Sequence, residues 1–449
     1  MTDKRINPRD RDAVIQAFRA GVVPRRGIQH VQVGREQELK ALIGDIERIT
    51  HGGSTIRFII GDFGSGKSFF LGLVRTIALE KGLVTLNADL NPDRRLFGAG
   101  GQARSLYAEL TRNLATRTKP EGGAMASMVE RFVTTAQQEA KRLGTGVQPV
   151  IDERLHALTE LVSGYDFATV VGRYWEGHDQ GNESLKNDAV RWLRGEFSTM
   201  TEARRALGVR TIIDDDSVYD GLKLLGRFSS LAGYSGLLVG LDELVNLFKL
   251  PQSASRNANY EQILRILNDS LQGSASHIGF MLGGTPETLT DTRRGLYSYA
   301  ALQSRLAENR FAAQHGVMDF GGPVIRLANL SPEELFVLLV KLRDLVLGDG
   351  RERISFEVIR GFLDYCALRI GAAYFQTPRT TIRAFLDFLQ VVELKPDLPI
   401  SALLDGVAIE ADIDDNAGVG SPDAEAASEP PPSPVRPSVA DDDLTRFAL

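Results

Sequence analysis

Gly61-Asp62-Phe63-Gly64-Ser65-Gly66-Lys67-Ser68 satisfies every fixed position of the phosphate-binding P-loop pattern, and its flanks give that pattern meaning. Arg57-Phe58-Ile59-Ile60 before it is an apolar run of strand type, and Phe69-Phe70-Leu71-Gly72-Leu73-Val74-Arg75 after it has helical character. In a strand–loop–helix setting the glycines let successive backbone N–H groups curl around one anion at the positive end of a helix. Lys67 then reaches the β- and γ-phosphates of a triphosphate, and the Ser68 hydroxyl takes a place on Mg²⁺. The stretch predicts an α/β fold that binds a nucleoside triphosphate. Gly61, Asp62, Phe63, Gly64, Ser65, Gly66, Lys67, Ser68 and the following Phe69 are placed around its phosphates.

Outward from the loop, further strands are expected at Leu83–Asp89, Gly236–Leu241, His277–Leu282 and Val324–Leu327. Helical patterns separate them, and nearly continuous apolar runs are the mark of parallel strands buried on both faces. Residues 31–330 read as the P-loop α/β core. Within it, about residues 100–205 read as a long helical insertion. Its helical spacings are Leu106, Leu110 and Leu114, then Ile151, Leu155 and Leu158, then Val190, Leu193 and Phe197, with breaks at Gly122-Gly123 and Gly144-Thr145-Gly146. These stripes are expected to form the insertion's own core in preference to a partner groove.

Residues 1–30 form a basic N-terminal arm with one helix, capped by Asn7, started by Pro8 and stopped near Gly21. Val14, Ile15 and Phe18 share its apolar face. Residues 331–395 read as three helices, the first opened by a capping box of Ser331 and Glu334. Residues 396–449 turn acidic and proline-rich, a composition expected to stay disordered.

Composition is that of a globular chain: 449 residues, 43% hydrophobic and 24% charged. The single cysteine, Cys366, excludes an internal disulfide, and the six histidines lack ligand spacing. No apolar run approaches the roughly 18 residues of a membrane span, and the polar start is unlike a signal peptide, so a cytoplasmic protein without a membrane partner is expected. The net charge of −6 is uneven. Asp405–Leu449 carries eleven acidic residues against Arg436 and Arg446, a net of −9, which leaves +3 for residues 1–404. The N-terminal arm holds Lys4, Arg5, Arg9, Arg11, Arg19, Arg25 and Arg26 against three aspartates. It suits either phosphate contact or packing on a neighbouring subunit.

Hydrolysis needs more than a phosphate loop. Leu237-Leu238-Val239-Gly240-Leu241 ends in Asp242-Glu243, where Asp242 would hold the magnesium shell and Glu243 would polarise the attacking water. Thr285, after Phe280-Met281-Leu282-Gly283-Gly284, reads either as a reporter on the γ-phosphate or as a turn residue before Pro286. Arg379 opens the last helix, where a cation opposes the helix dipole; it reads either as partner to an outside anion or as a plain surface arginine. Arg305 is a candidate for an arginine presented in trans to a neighbour's γ-phosphate, with Arg293, Arg294 and Arg310 as competitors.

Together, Val33-Gly34-Arg35-Glu36, the P-loop, Asp242-Glu243, Thr285 and Arg379 resemble an AAA+ ATPase. The resemblance implies a parallel sheet, a C-terminal helical lid at residues 331–395, and adenine bordered by Val33 and Gly34. Ser304-Arg305 resembles the clamp-loader motif that supplies the arginine finger, although Leu306 follows where cysteine stands in that motif. A narrower likeness spans about residues 10–395. Ala20-Gly21-Val22-Val23-Pro24-Arg25-Arg26-Gly27, Leu231-Ala232-Gly233-Tyr234-Ser235-Gly236-Leu237-Leu238 and Gly284-Thr285-Pro286-Glu287 resemble the ATP-binding proteins of BREX-type bacteriophage-defence systems.

That likeness implies an oligomeric ATPase using ATP and Mg²⁺, working with DNA beside a methyltransferase, helicase or other defence protein. Fewer than sixty residues follow Val392, so no winged helix is expected and DNA contact would fall to the body, insertion or arm. The alternatives are a nucleotide-switched scaffold or sensor with slow hydrolysis, and a DNA-loader-type ATPase.

Overall fold

Five short runs pair side by side in the computed structural model, which describes residues 6–315, 318–372, 375 and 378–395. They are β1 (Ser54–Gly61), β2 (Val84–Asp89), β3 (Leu237–Asp242), β4 (Ile278–Gly284) and β5 (Val324–Leu327). Their order is β2-β3-β4-β1-β5 and every pairing is parallel. Registers such as Asp89 with Asp242, Ile60 with Gly284 and Gly61 with Leu327 bring all five C-terminal ends to one edge. Loops from that edge build the site.

The apolar runs follow from burial on both faces. Phe58 and Ile60 point into one core with Leu86, Val239 and Phe280, and Ile59 points into the other with Leu238, Met281 and Ile325. Helices α2 (Glu36–Thr50) and α3 (Lys67–Glu80) cover the second face through Leu42, Ile46, Phe70 and Val74. Arg57 interrupts β1 with a charge, and Asp45 of α2 receives its Nε at 2.5 Å, so the buried cation is paired.

Between β2 and β3 the chain holds the helical segment expected as an insertion. It comprises α4 (Gln102–Arg112), α5 (Met125–Leu143), α6 (Val147–His156), α7 (Gly164–Asp179), α8 (Glu183–Leu193) and α9 (Met200–Leu207), of which α4 packs on β2. Next come α10 (Val218–Leu231) before β3 and α11 (Val245–Phe248) and α12 (Ser253–Gln272) after it. Gly144, at φ 68°, ends α5 where the sequence breaks. The insertion's stripes face inward: its helices pack on one another and on α10, through pairs such as Phe167 with Trp192 and Phe132 with Phe228, and their buried residues run on into the core that holds Phe58 and Phe280.

After β4 come α13 (Pro286–Thr290), α14 (Ala300–Leu306) and α15 (Arg310–Gln314). A C-terminal bundle of α16 (Pro332–Leu347), α17 (Phe356–Ile370) and α18 (Arg379–Leu394) follows β5. Both bonds of the Ser331–Glu334 capping box are present, a cap that contributes about 1 kcal/mol. The bundle has a third core of Leu335, Leu339, Phe362, Phe385 and Leu389. Helix α1 (Pro8–Arg19), capped by Asn7 as its sequence indicates, puts Val14 and Ile15 into that core. Arg11 donates to the carbonyl of Val346 at 2.9 Å, so part of the basic arm is engaged on its own chain.

Among the described residues no helix is long and apolar enough to cross a membrane. The acidic segment 396–449, and Gln376 and Thr377 ahead of Arg379, lie outside the described residues.

Candidate functional site

The phosphate loop takes the shape its glycines allow. Gly64 and Gly66 sit at φ 81° and 83°, and Gly66 is the last residue before α3. The first N–H groups of a helix have no partner within it, and nothing lies within 4 Å of where a Cβ would stand on Gly66, an arrangement that can receive an anion. Ser65 is 1% exposed, and its Oγ has no hydrogen-bond partner. Lys67 folds back over the loop, donating to the carbonyls of Gly61 at 2.9 Å and Asp62 at 2.8 Å. Burial lowers the Lys67 pKa, and the carboxylates of Asp242, Glu243, Asp62 and Glu287 counter it.

The hydroxyl of Ser68 donates to Asp242 Oδ2 at 2.7 Å, joining the start of α3 to the end of β3 across the intervening β4. That crossing is possible because β4 carries Gly283 at this level. A Cβ there would lie 2.2 Å from Asp242 Oδ1. The other Asp242 oxygen accepts from the Glu243 backbone N–H at 2.9 Å. Glu243 itself is held at φ 63°, a left-handed conformation that costs a side-chain-bearing residue roughly 1–3 kcal/mol and collects at functional sites.

Burial raises the pKa of Glu243, and the charges of Asp242 and Asp89 add to it. Asp89, opposite Asp242 on β2, is raised for the same two reasons, burial first and Asp242 second. A carboxylate group this crowded favours a bound cation. Thr285 follows β4 at the same edge as the first residue before α13, and its Oγ1 lies 3.0 Å from that of Thr288.

Two further walls come from outside the sheet. Val33 and Phe69 pack against the bundle core, and Phe18 of α1 stacks on Phe69 with ring centroids 6.5 Å apart. Arg379 at the start of α18 reaches the loop, its guanidinium carbon 5.8 Å from the centroid of the half-exposed Phe63 ring. Its Cδ also packs against the turn at Gly21. The chain thus brings together Val33, Gly34, the whole phosphate loop, Asp242, Glu243 and Arg379.

Arg305 stands apart. It is exposed on α14 and donates to the Ala301 carbonyl of its own helix at 2.9 Å. Of its competitors, Arg293 is exposed, whereas Arg294 lies over the Phe248 ring and reaches the carbonyls of Lys249 and Leu250. The side chain of Arg310 lies outside the described residues. Three groups near the site carry no role in the sequence reading: Asp89, Glu287 and Arg35. Glu287 is three residues past the strand tip and acts on Lys67.

The residues suit Mg²⁺ with a triphosphate. Among the described residues there is no cluster of three or more His, Cys, Asp or Glu able to hold a metal by themselves. Magnesium characteristically takes one or two protein oxygens and completes its shell with water and phosphate oxygens. Ser68 and Asp242 are that kind of donor set, and the unpartnered Ser65 Oγ and the open space at Gly66 leave the loop free for an anion. The family model of the BREX system ATP-binding protein BrxC/D matches residues 6–407. No curated protein matches the chain.

Proposed function

This chain belongs to the BREX system ATP-binding protein family BrxC/D, and from that premise we propose that it hydrolyses ATP at the edge of its sheet. The observation that carries the reading is the Ser68–Asp242 hydrogen bond, with Glu243 next in sequence at a strained backbone position. The loop amides from Gly64 to Ser68 bind the phosphates, and Lys67 exchanges its loop carbonyls for phosphate oxygens. A magnesium ion, when bound, would supply positive charge against the phosphates. Ser68 and Asp242 hold that ion. Glu243 orients a water for in-line attack and takes up its proton, and its raised pKa suits a general base.

Val33 and Gly34 border the adenine. Arg379, already over the loop, supplies charge to the γ-phosphate from the bundle, which acts as a lid. Thr285 positions the water from the neighbouring strand tip. In an oligomer the exposed Arg305 offers a guanidinium to the next subunit's γ-phosphate. The work coupled to this cycle is DNA-linked phage defence with partner proteins of the same system. A second reading, a nucleotide-switched scaffold with slow turnover, draws on the contact between bundle and phosphate loop through Phe69 and Arg379.

Mass measurement of Glu243→Gln protein with Mg·ATP, with and without duplex DNA, tests the proposal. A larger ATP-bound assembly that retains DNA is expected, and Lys67→Ala should give none. A monomer under every condition overturns the trans arrangement. Turnover raised many-fold by DNA favours the motor reading, and turnover raised only by a protein partner favours the scaffold.

A further inference from the structure

Arg35 is tied both to the phosphate loop and to the segment that leads into the bundle. It precedes α2 at φ 60°, in the left-handed region. Its Nη2 donates to the Ser65 carbonyl at 2.6 Å and to the Ala328 carbonyl at 2.8 Å. Ser65 belongs to the phosphate loop. Ala328 follows directly on β5, three residues before the Ser331 cap of α16.

The surroundings form one junction. The Glu334 carboxylate, which accepts from the Ser331 N–H at 2.9 Å, packs so closely on Gly34 that a Cβ there would lie 2.0 Å from its Oε1. Lys341 of α16 donates to the Gln32 carbonyl. Residues 32–35, the phosphate loop and the first helix of the bundle therefore meet around one guanidinium.

A peptide unit is planar and trans, so its C=O and N–H point in opposite directions. With the Ser65 carbonyl held by Arg35, the N–H of Gly66 in the same unit points away from Arg35. Gly66 has open space around it, with nothing within 4 Å of an added Cβ. We propose that Arg35 is a positioning residue that sets the Ser65–Gly66 peptide with its N–H toward the phosphates and, through Ala328, couples phosphate occupancy to the bundle. This rests on the phosphate-binding reading above. A charged donor makes the stronger class of hydrogen bond, and its removal leaves two carbonyls to find new partners.

The test uses the full chain, a fluorescent ATP analogue with Mg²⁺, and hydrogen exchange of residues 328–334 with and without ATP. Wild type is expected to bind and to change its exchange in that segment. Arg35→Ala should bind about tenfold more weakly and lose the ATP-dependent change, a loss typical of a charged hydrogen bond. Arg35→Lys, which keeps a shorter charged donor, should recover to within roughly threefold of wild type with a reduced exchange response. It decides the matter if Arg35→Ala does not fold.

Affinity within twofold of wild type, or an undiminished exchange response, in the folded variant overturns the proposal. A lower Tm with both readouts unchanged does so too, assigning Arg35 a structural role alone. Folded wild type that binds no nucleotide overturns the phosphate-binding reading itself. Wild type that binds while Lys67→Ala does not separates the two failures.

Discussion

The insertion and the C-terminal bundle are both helical, yet they are joined to the sheet in opposite ways. The insertion's Leu106, Phe132 and Phe167 belong to one continuous core with β1, β2, β3 and β4, α4 packing on β2 directly while Phe132 and Phe167 join it through Phe228 of α10. The bundle closes a core of its own with α1, Val33 and Phe69 pack against that core, and Arg379 reaches Phe63 of the phosphate loop. A packed core resists gradual deformation, whereas a small interface between two cores can open and close. On the function proposed above, the bundle is the region placed to read nucleotide state, whereas the insertion's buried residues run on into the core of the sheet.

Four measurements can break or sharpen that contrast. The largest effect is expected at the loop: Lys67→Ala should lower ATP turnover by on the order of 10³-fold in steady-state phosphate release, with both helical regions intact by circular dichroism. Arg379→Ala, on the bundle, should cost about 10–100-fold in the same assay, whereas Tyr174→Phe on the insertion should stay within about twofold. Equal losses from the two would erase the distinction.

Phe132→Ala and Phe385→Ala each delete a fully buried ring and should cost about 3–5 kcal/mol in urea unfolding. The first should weaken the sheet and nucleotide binding together. The second should loosen the bundle and leave protected amides in β1 and β4 by hydrogen exchange.

The smallest effect concerns charge. Ionising Glu243 costs stability in the folded state, because burial and the neighbouring carboxylates raise its pKa. The penalty is absent below the ordinary carboxylate range, where the group is protonated folded and unfolded, and it grows as pH rises through the raised folded value. Glu243→Gln should therefore raise Tm of the nucleotide-free protein by roughly 1–2 °C at pH 7.5, with the gain fading toward pH 4. The half-exposed position keeps that gain small. In wild type the acidic limb of kcat/KM, which reports the free enzyme, should stand above the usual carboxylate range for the same reason.

Signals confined to neighbouring residues were legible in the chain. Asn7-Pro8 starts α1, Ser331 and Glu334 close a box, Gly144 stops α5, and all five strands appear as apolar runs, because each is governed by contacts a few residues away. Asp242 could be placed by its strand and the P-loop upstream. What escaped reading depends on residues far apart in sequence. Nothing near Arg35 announces carbonyl partners 30 and 293 positions away. Asp89 matters only because register sets it against Asp242, and Gly283 only because that carboxylate crosses above it. The merging of the insertion with the sheet core was hidden for a like reason. A helical stripe says that a face is buried, and is silent about what buries it.

The strand order has a consequence for how the protein is made. β1, which carries the phosphate loop, pairs with β4 and β5 and with neither β2 nor β3. Its apolar length is complete once residue 61 has been added, but its first partner begins at Ile278. At about 5–20 residues per second, that strand waits some tens of seconds for a neighbour. Pairing across such a separation is also intrinsically slow. During synthesis β1 thus stays unpaired for longer than β2, whose partner begins at Leu237, and a nascent chain stalled before residue 278 holds the complete loop sequence without the strands that flank it in the sheet.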